Sequence, residues 1–410
     1  MATSQDIPAP PLAERTIQSD QEALAVAAQF AAQIAPGAAE RDRTRRVPVQ
    51  ELRALAATGL LGITIPRRLG GAEVSAVTLA EVFRIIATAD PAVAQVPQNH
   101  FFAIRILLHS GSPEQLEFFA AEILRGARFG NALSERGTKT AADLKTRITP
   151  TDDGDFILEG RKYYATGALT AQWIPVYALD DEARRVTAFV ERNAPGVEVI
   201  NDWNAMGQRA TASGTATFEA VRVPADRVVQ HYRTFEVPQV FGAFGQIMHA
   251  AIDVGIGRAA LEDAAEYVRN RSRLSFEAVQ AEVASVTSDP VTLLRFGQLA
   301  TRLYAAEALL RRAGEAIDAA DALDAVSEEA AGAASLAVGE AKAFGGEVAL
   351  EIATELFSLA GTSATDETHG LDRHWRNART HTLHDPNVWK YRHTGNFVLN
   401  GLRPPNHELI

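Results

Sequence analysis

The order of apolar and polar positions divides the chain into three textures. From about Gln21 to Arg125 it is rich in Ala, Leu, Glu and Arg, and Pro36, Pro48, Pro66, Pro91, Pro97 and Pro113 fall between candidate helices rather than inside them. That pattern predicts a block of short helices. From Phe129 to about Val237, Asp152-Asp153-Gly154 is a turn signal between Arg147-Ile148-Thr149 and Phe156-Ile157-Leu158. Asp180-Asp181-Glu182 likewise separates two strand-prone runs, which predicts a mostly antiparallel sheet. After Pro238 the only proline before Pro386 is Pro290, leaving room for long helices. Phe296, Leu299, Leu303, Ala306 and Leu310 share one helical face, and Phe344, Val348, Ile352, Leu356 and Leu359 share another. Such stripes assemble into bundles, and Gly345-Gly346 inside the second allows close helix contact, within the chain or between subunits.

These textures predict a leader at 1–20, a helical domain at 21–127, a β domain at 128–237, a helical bundle at 238–400 and a tail at 401–410. The leader, with prolines at 8, 10 and 11 and no basic apolar stretch, reads as mobile and cytoplasmic rather than as a signal peptide. No apolar run approaches the roughly 18 to 20 residues that cross a bilayer. With 410 residues, 47% hydrophobic and 22% charged, the chain is globular. The absence of cysteine excludes disulfides, zinc fingers, iron–sulfur ligation and a thiolate nucleophile. A formal charge of −11 speaks against a nucleic-acid partner. Any chemistry must therefore come from His, Asp/Glu, Ser/Thr or a borrowed cofactor.

Five of the ten histidines (His369, His374, His381, His384 and His393) fall within one short C-terminal segment. In Thr380-His381-Thr382-Leu383-His384-Asp385-Pro386, His381 and His384 would be neighbours on a helix that ends at Pro386. The residues alone leave three readings open: histidines bonded to last-turn carbonyls, a two-His-plus-carboxylate metal site, or a catalytic site. His100, beside Phe101 and Phe102, reads on its own as a core histidine. Asn131 and Thr166 read as turn or strand-end residues, and Arg271 and Arg273 as solvated helix charges. Gly255-x-Gly257-x-x-Ala260 imitates a dinucleotide fingerprint, but no strand precedes it, so close helix packing is the better account.

Several strings together resemble the acyl-CoA dehydrogenase fold. They are Ser213-Gly214-Thr215-Ala216-Thr217-Phe218 before Val221-Arg222-Val223-Pro224, Gly255-Ile256-Gly257-Arg258-Ala259-Ala260-Leu261-Glu262, and Asn131-Ala132-Leu133-Ser134-Glu135. The resemblance implies an α+β chain: an N-terminal helical domain, a central antiparallel β domain and a C-terminal four-helix bundle. It implies that Asn131, Leu133 and Ser134 border a flavin ring and that Thr166 faces its N5 edge. Where the dehydrogenases carry Tyr-Glu-Gly-Thr, this chain has His384-Asp385-Pro386-Asn387. Residues 373–401 are closest to the flavin monooxygenase branch of the fold, which includes dibenzothiophene monooxygenase and the sulfur-acquisition oxidoreductases of dimethyl sulfone metabolism.

Membership of that branch implies reduced FMN from a separate NAD(P)H-dependent flavin reductase, O2 as co-substrate, a flavin C4a-hydroperoxide, oxygen transfer to a small organosulfur compound, and a homotetramer. His384 is the first candidate to hold or protonate the oxygenated flavin and His100 the second, since an imidazole exchanges protons near neutral pH. Arg271 matches the dehydrogenases' phosphate arginine and Arg273 that of the monooxygenases; Ser363 and Thr365 are candidate phosphate hydroxyls, and no metal is implied. The alternatives are an FAD-dependent acyl-CoA dehydrogenase with Asp385 as base and an N-hydroxylase of amines or amino sugars. A flavin-free helical assembly protein would need neither His100 nor the HxxHDP string.

Overall fold

The computed structural model describes residue 13 and residues 15–140 and 143–408. The expected leader lies outside the described residues as far as residue 12. Its last part is fixed, since Ile17 is buried in the core and the Ser19 hydroxyl caps the first helix by accepting from the Glu22 N–H. Seven helices follow: α1 (Asp20–Ile34), α2 (Ala38–Thr44), α3 (Val49–Ala57), α4 (Ala76–Ala89), α5 (Pro91–Gln95), α6 (Gln98–Ser110) and α7 (Pro113–Leu124). Their starts follow from local chemistry. Asp90 accepts from the Ala92 and Val93 N–H groups ahead of α5, and Ser112 and Gln115 form a capping box on α7. Pro91 and Pro113 occupy first turns, where a missing N–H costs nothing.

The central strands are β1 (Arg147–Pro150), β2 (Phe156–Lys162), β3 (Trp173–Leu179), β4 (Arg185–Glu191), β5 (Val197–Ile200), β6 (Thr215–Val223) and β7 (Val228–Val229). Both hairpins stand where the Asp-rich turns predict them, β1 against β2 and β3 against β4. The sheet is mixed rather than purely antiparallel, in the order β5-β6-β2-β1-β3-β4-β7, because β1 joins β3 in parallel through Arg147 and Leu179. Phe129 and Ala132 add parallel bridges to Trp173 and Val176, laying the Asn131 segment along the β3 edge.

The bundle comprises α8 (Phe241–Asn270), the single-turn α9 (Phe276–Gln280), α10 (Pro290–Asp321), α11 (Glu328–Ala360), α12 (Asp372–His381) and α13 (Asn387–Asn400). The breaks outnumber the prolines, since the chain also turns after Asn270, Asp321 and Ala360. Asp289 caps α10 with Pro290 in its first turn. Both predicted stripes face inward: Leu299, Leu303, Ala306, Leu310, Val348, Ile352 and Leu356 are buried. α8 runs through the centre, packed on α11 and on α4. A Cβ on Gly255 would stand 2.7 Å from the Ala87 Cβ, so the glycine pair of α8 serves helix contact and not a nucleotide. No helix among the described residues is long and apolar enough to cross a membrane.

Candidate active site

Three polar side chains interrupt the buried stretch of α8: Gln246, His249 and Asp253, at the three- and four-residue spacing that puts them on one face. They meet the end of α12. That helix stops at His381, so His381 and His384 do not share a helical surface as the sequence predicts; Pro386 is the N-cap of α13 instead. The turn between them carries His384 over His249, where the two rings stack with centroids 3.9 Å apart and planes 29° apart. His249 Nδ1 is 3.1 Å from His381 Nε2, which is also 2.9 Å from Gln95 Oε1. His381 Nδ1 lies 2.6 Å from Asp253 Oδ1. Four segments thus converge: α5, α8, the end of α12 and the turn after it.

Asp385 is gripped from two sides. Lys342, a buried residue of α11, donates to its Oδ1 and to Gln246 Oε1, and Lys390 of α13 donates to its Oδ2 at 2.9 Å. His384 Nδ1 stands 3.3 Å from Oδ1. Both carboxylate oxygens are thus engaged by lysine side chains rather than free to take a proton from a substrate. Asp385 touches both lysines and His384 at once.

Burial drives His249 well below the usual imidazole range, and the neighbouring His384, Lys342, His381 and Lys390 add to the effect. His384 moves the same way, by burial and then by Lys342, His381 and Lys390. Its side chain is nonetheless 42% exposed, so water reduces the burial part for His384, while the lysines act on it regardless. Both stacked rings are therefore neutral at neutral pH. Two adjacent imidazolium faces beside two ammonium groups would repel.

A second set of candidates lies in the β domain. Asn131 Nδ2 donates to the Tyr164 carbonyl at 3.2 Å, which leaves its buried Oδ1 without a partner among the described residues. The Thr166 hydroxyl pairs with Ser213 Oγ at 2.6 Å, and Ser213 with Thr211 Oγ1 at 2.7 Å. Leu133 and Ser134 contribute backbone: Lys162 Nζ donates to the Leu133 carbonyl at 3.1 Å and the Tyr163 N–H to the Ser134 carbonyl at 2.8 Å. Two neighbours of Gln95 tie this region to the bundle. Asn99 Nδ2 donates to the Gly130 carbonyl at 2.9 Å and Gln98 Nε2 to the Gly245 carbonyl at 3.3 Å, one turn before His249.

His100 is placed otherwise than expected. It is fully buried, with Nε2 on the Leu61 carbonyl at 2.9 Å and Nδ1 accepting from the Phe129 N–H at 3.1 Å. Burial depresses it to about 3. Both ring nitrogens thus face backbone, and the Phe129 contact ties His100 to the strand edge that leads to Asn131. The phosphate candidates stand apart as well. Arg271 and Arg273 are exposed beyond the end of α8, where Tyr267 Oη meets Ser363 Oγ at 3.0 Å and Thr365 Oγ1 donates to the Thr362 carbonyl at 2.7 Å. At 1.5 Å per helical residue they lie on the order of 30 Å from His249. A separate groove of about 1000 Å³ between α1, α4, α8 and α10 contains none of these residues, and Arg84 and Arg258 in it both turn to Glu307.

Gln95, His249, Asp253 and Lys342 were not predicted. A signal existed: the Gln246, His249 and Asp253 stripe inside an otherwise apolar helix. No cluster of three or more His, Cys, Asp or Glu able to hold a metal is present among the described residues.

Descriptions of the acyl-CoA dehydrogenase N-terminal, middle and C-terminal domains match residues 18–127, 130–221 and 247–388. Dibenzothiophene monooxygenase of Mycolicibacterium goodii is 33% identical over 379 residues, covering 89% of this chain and 90% of that protein. The probable FMNH2-dependent monooxygenase SfnC of Pseudomonas putida is 33% identical over 390 residues, covering 93% and 96%. The crystal structure of FMN-bound TdsC from Paenibacillus sp. A11-2 superposes with a TM-score of 0.90 at 31% identity, over 95% of this chain and all of that one.

Proposed function

The chain belongs to the acyl-CoA dehydrogenase family, in its flavin-dependent monooxygenase branch, and on that basis we propose that it oxygenates a small organosulfur compound with FMNH2 delivered by a separate reductase. The observation that carries the reading is the fate of Asp385. A dehydrogenase needs a free carboxylate, and here two lysines occupy it. FMN is the cofactor, and reduced FMN supplies the electrons that activate dioxygen. The residues suit it, since Asn131 Oδ1 is a buried acceptor with no partner and Thr166 offers a hydroxyl that can donate or accept at the N–H-bearing edge of the ring. His249 is buried while His384 stays open to solvent, and Asp385 fixes the direction in which His384 presents its Nε2.

The cofactor's phosphate would be met by Arg273, with Ser363 and Thr365, from a second copy of the chain, because these residues are too distant from His384 to serve one mononucleotide in the same subunit. A homotetramer is part of the proposal. Leu383, Val388, Trp389, Val398 and Leu399 at and beside α13 are exposed apolar residues ready for such contacts. A cytoplasmic location alongside an NAD(P)H-dependent flavin reductase belongs to the same reading.

The test mixes reduced, FMN-loaded protein rapidly with oxygen, with and without dibenzothiophene or a dialkyl sulfide. A transient absorbance unlike oxidised or reduced flavin, followed by a sulfoxide or sulfone, is expected. Bleaching of bound flavin by an acyl-CoA thioester, with no transient after oxygen, would overturn it.

A further inference from the structure

Insertion of one oxygen atom into a neutral substrate S follows the balance S + O2 + FMNH⁻ + H⁺ → SO + FMN + H2O. One proton is taken up per turnover. Yet neither of the rings best placed to offer it, His384 and His249, is charged at neutral pH.

We propose that Asp253 and His381 form a buried proton store and that His249 is the relay between this store and the cleft. The proposal rests on the monooxygenase reading for its purpose and on hydrogen-bond geometry for its mechanism. His381 Nδ1 faces the Asp253 carboxylate at 2.6 Å and its Nε2 faces Gln95 Oε1 at 2.9 Å. In the proposed store His381 donates to both acceptors from two N–H groups, with the buried Asp253 carboxylate beside it. His249 Nδ1, 3.1 Å from the same Nε2, is then the acceptor, which leaves its proton on Nε2. That nitrogen is the one not turned to His381. His384 covers one face of the ring.

The transfer is a single displacement. The N–H bond of His249 Nε2 breaks toward an oxygen atom in the cleft, a new N–H forms at Nδ1 from His381 Nε2, and His381 is left neutral beside Asp253. Solvent entering past the exposed His384 restores the proton. The charged groups facing the relay are His381 from α12, Asp385 from the turn, Asp253 from α8, Lys342 from α11 and Lys390 from α13; Gln95 of α5 is neutral. Asp385 faces both lysines, and Asp253, which also acts on Lys342, is the carboxylate in contact with His381. His381 and Asp253 are positioning residues that act through His249.

The first experiment needs no flavin. Histidine ¹⁵N spectra of the flavin-free protein at pH 7 should show His381 protonated on both nitrogens and His249 on Nε2 alone, and Asp253→Asn should remove the second proton from His381. A singly protonated His381, or an Nδ1–H His249, overturns the proposal. The second experiment uses the loaded enzyme. His249→Phe keeps an aromatic ring against His384 but cannot carry a proton, so kcat should fall about 100-fold with KM nearly unchanged and the acid limb of the pH profile displaced. Turnover at the wild-type rate and pH profile would overturn the relay. If the spectra are as expected while wild-type protein with FMNH2 oxygenates no sulfur compound, the function falls and the proton store stands.

Discussion

At the scale of single residues the site is decided by which polar atoms are already engaged. Asp385 and His100 both occupy positions that a motif would call catalytic, and both have their donors and acceptors committed. For Asp385 this gives a prediction that separates structure from catalysis. Asp385→Asn leaves Lys342 and Lys390 as buried cations facing a neutral amide. Breaking a buried pair from one side costs about 3–5 kcal/mol, so the unfolding free energy of the flavin-free variant, read from urea titration, should fall by that much. A substrate base would behave otherwise, losing activity at unchanged stability. The sequence could display the HxxHDP string but not this arrangement, because Lys342 and Lys390 come from other helices 43 and five positions away and nothing local marks them as partners. His249 escaped for a related reason: a histidine inside an apolar helix looks like a core residue until the turn after α12 folds over it.

At the scale of elements, legibility followed local chemistry. The Asp-rich hairpin turns, the proline-led helix starts and the two apolar stripes are short-range signals, and each lies where the sequence puts it. The turns after Asn270, Asp321 and Ala360 carry no proline and were missed, and the parallel β1–β3 join is a non-local pairing that no hairpin pattern announces. The helical glycines sharpen the contrast between propensity and packing. Alanine gains about 1 kcal/mol over glycine inside an exposed helix, and Gly297 of α10 has nothing within 4 Å of its missing Cβ. Gly297→Ala should stabilise by about that amount. At Gly255 the new Cβ would meet the Ala87 Cβ and the Arg84 carbonyl oxygen, each at 2.7 Å. Backbone cannot yield as a flexible side chain can, and overpacking costs about 1–3 kcal/mol. Gly255→Ala should therefore destabilise, and chemical denaturation of the pair reads the opposite signs directly.

At the scale of the whole molecule, the three domains collect one half of a flavin site and leave the other half at the far end of α8. In the proposed site the ring would be met by Asn131, Thr166, His249 and His384, and the phosphate by Arg273, Ser363 and Thr365, on the order of 30 Å away. A single subunit cannot use both sets on one FMN, so cofactor affinity and assembly are linked in the proposed tetramer. The linkage can be broken without touching the site. Val398 and Leu399 lie on α13 at 76% and 82% exposure, far along the helix from Lys390. Val398→Asp with Leu399→Asp places two carboxylates in the apolar contact and should yield smaller species by light scattering. Because FMN would then lose its charge-assisted phosphate contacts, its binding should weaken about tenfold or more. Arg273→Ala should weaken binding similarly while leaving the assembly intact. Were the double variant to dissociate and still bind FMN as the wild type does, the phosphate would be held within one subunit, and the division of the site between copies would be wrong.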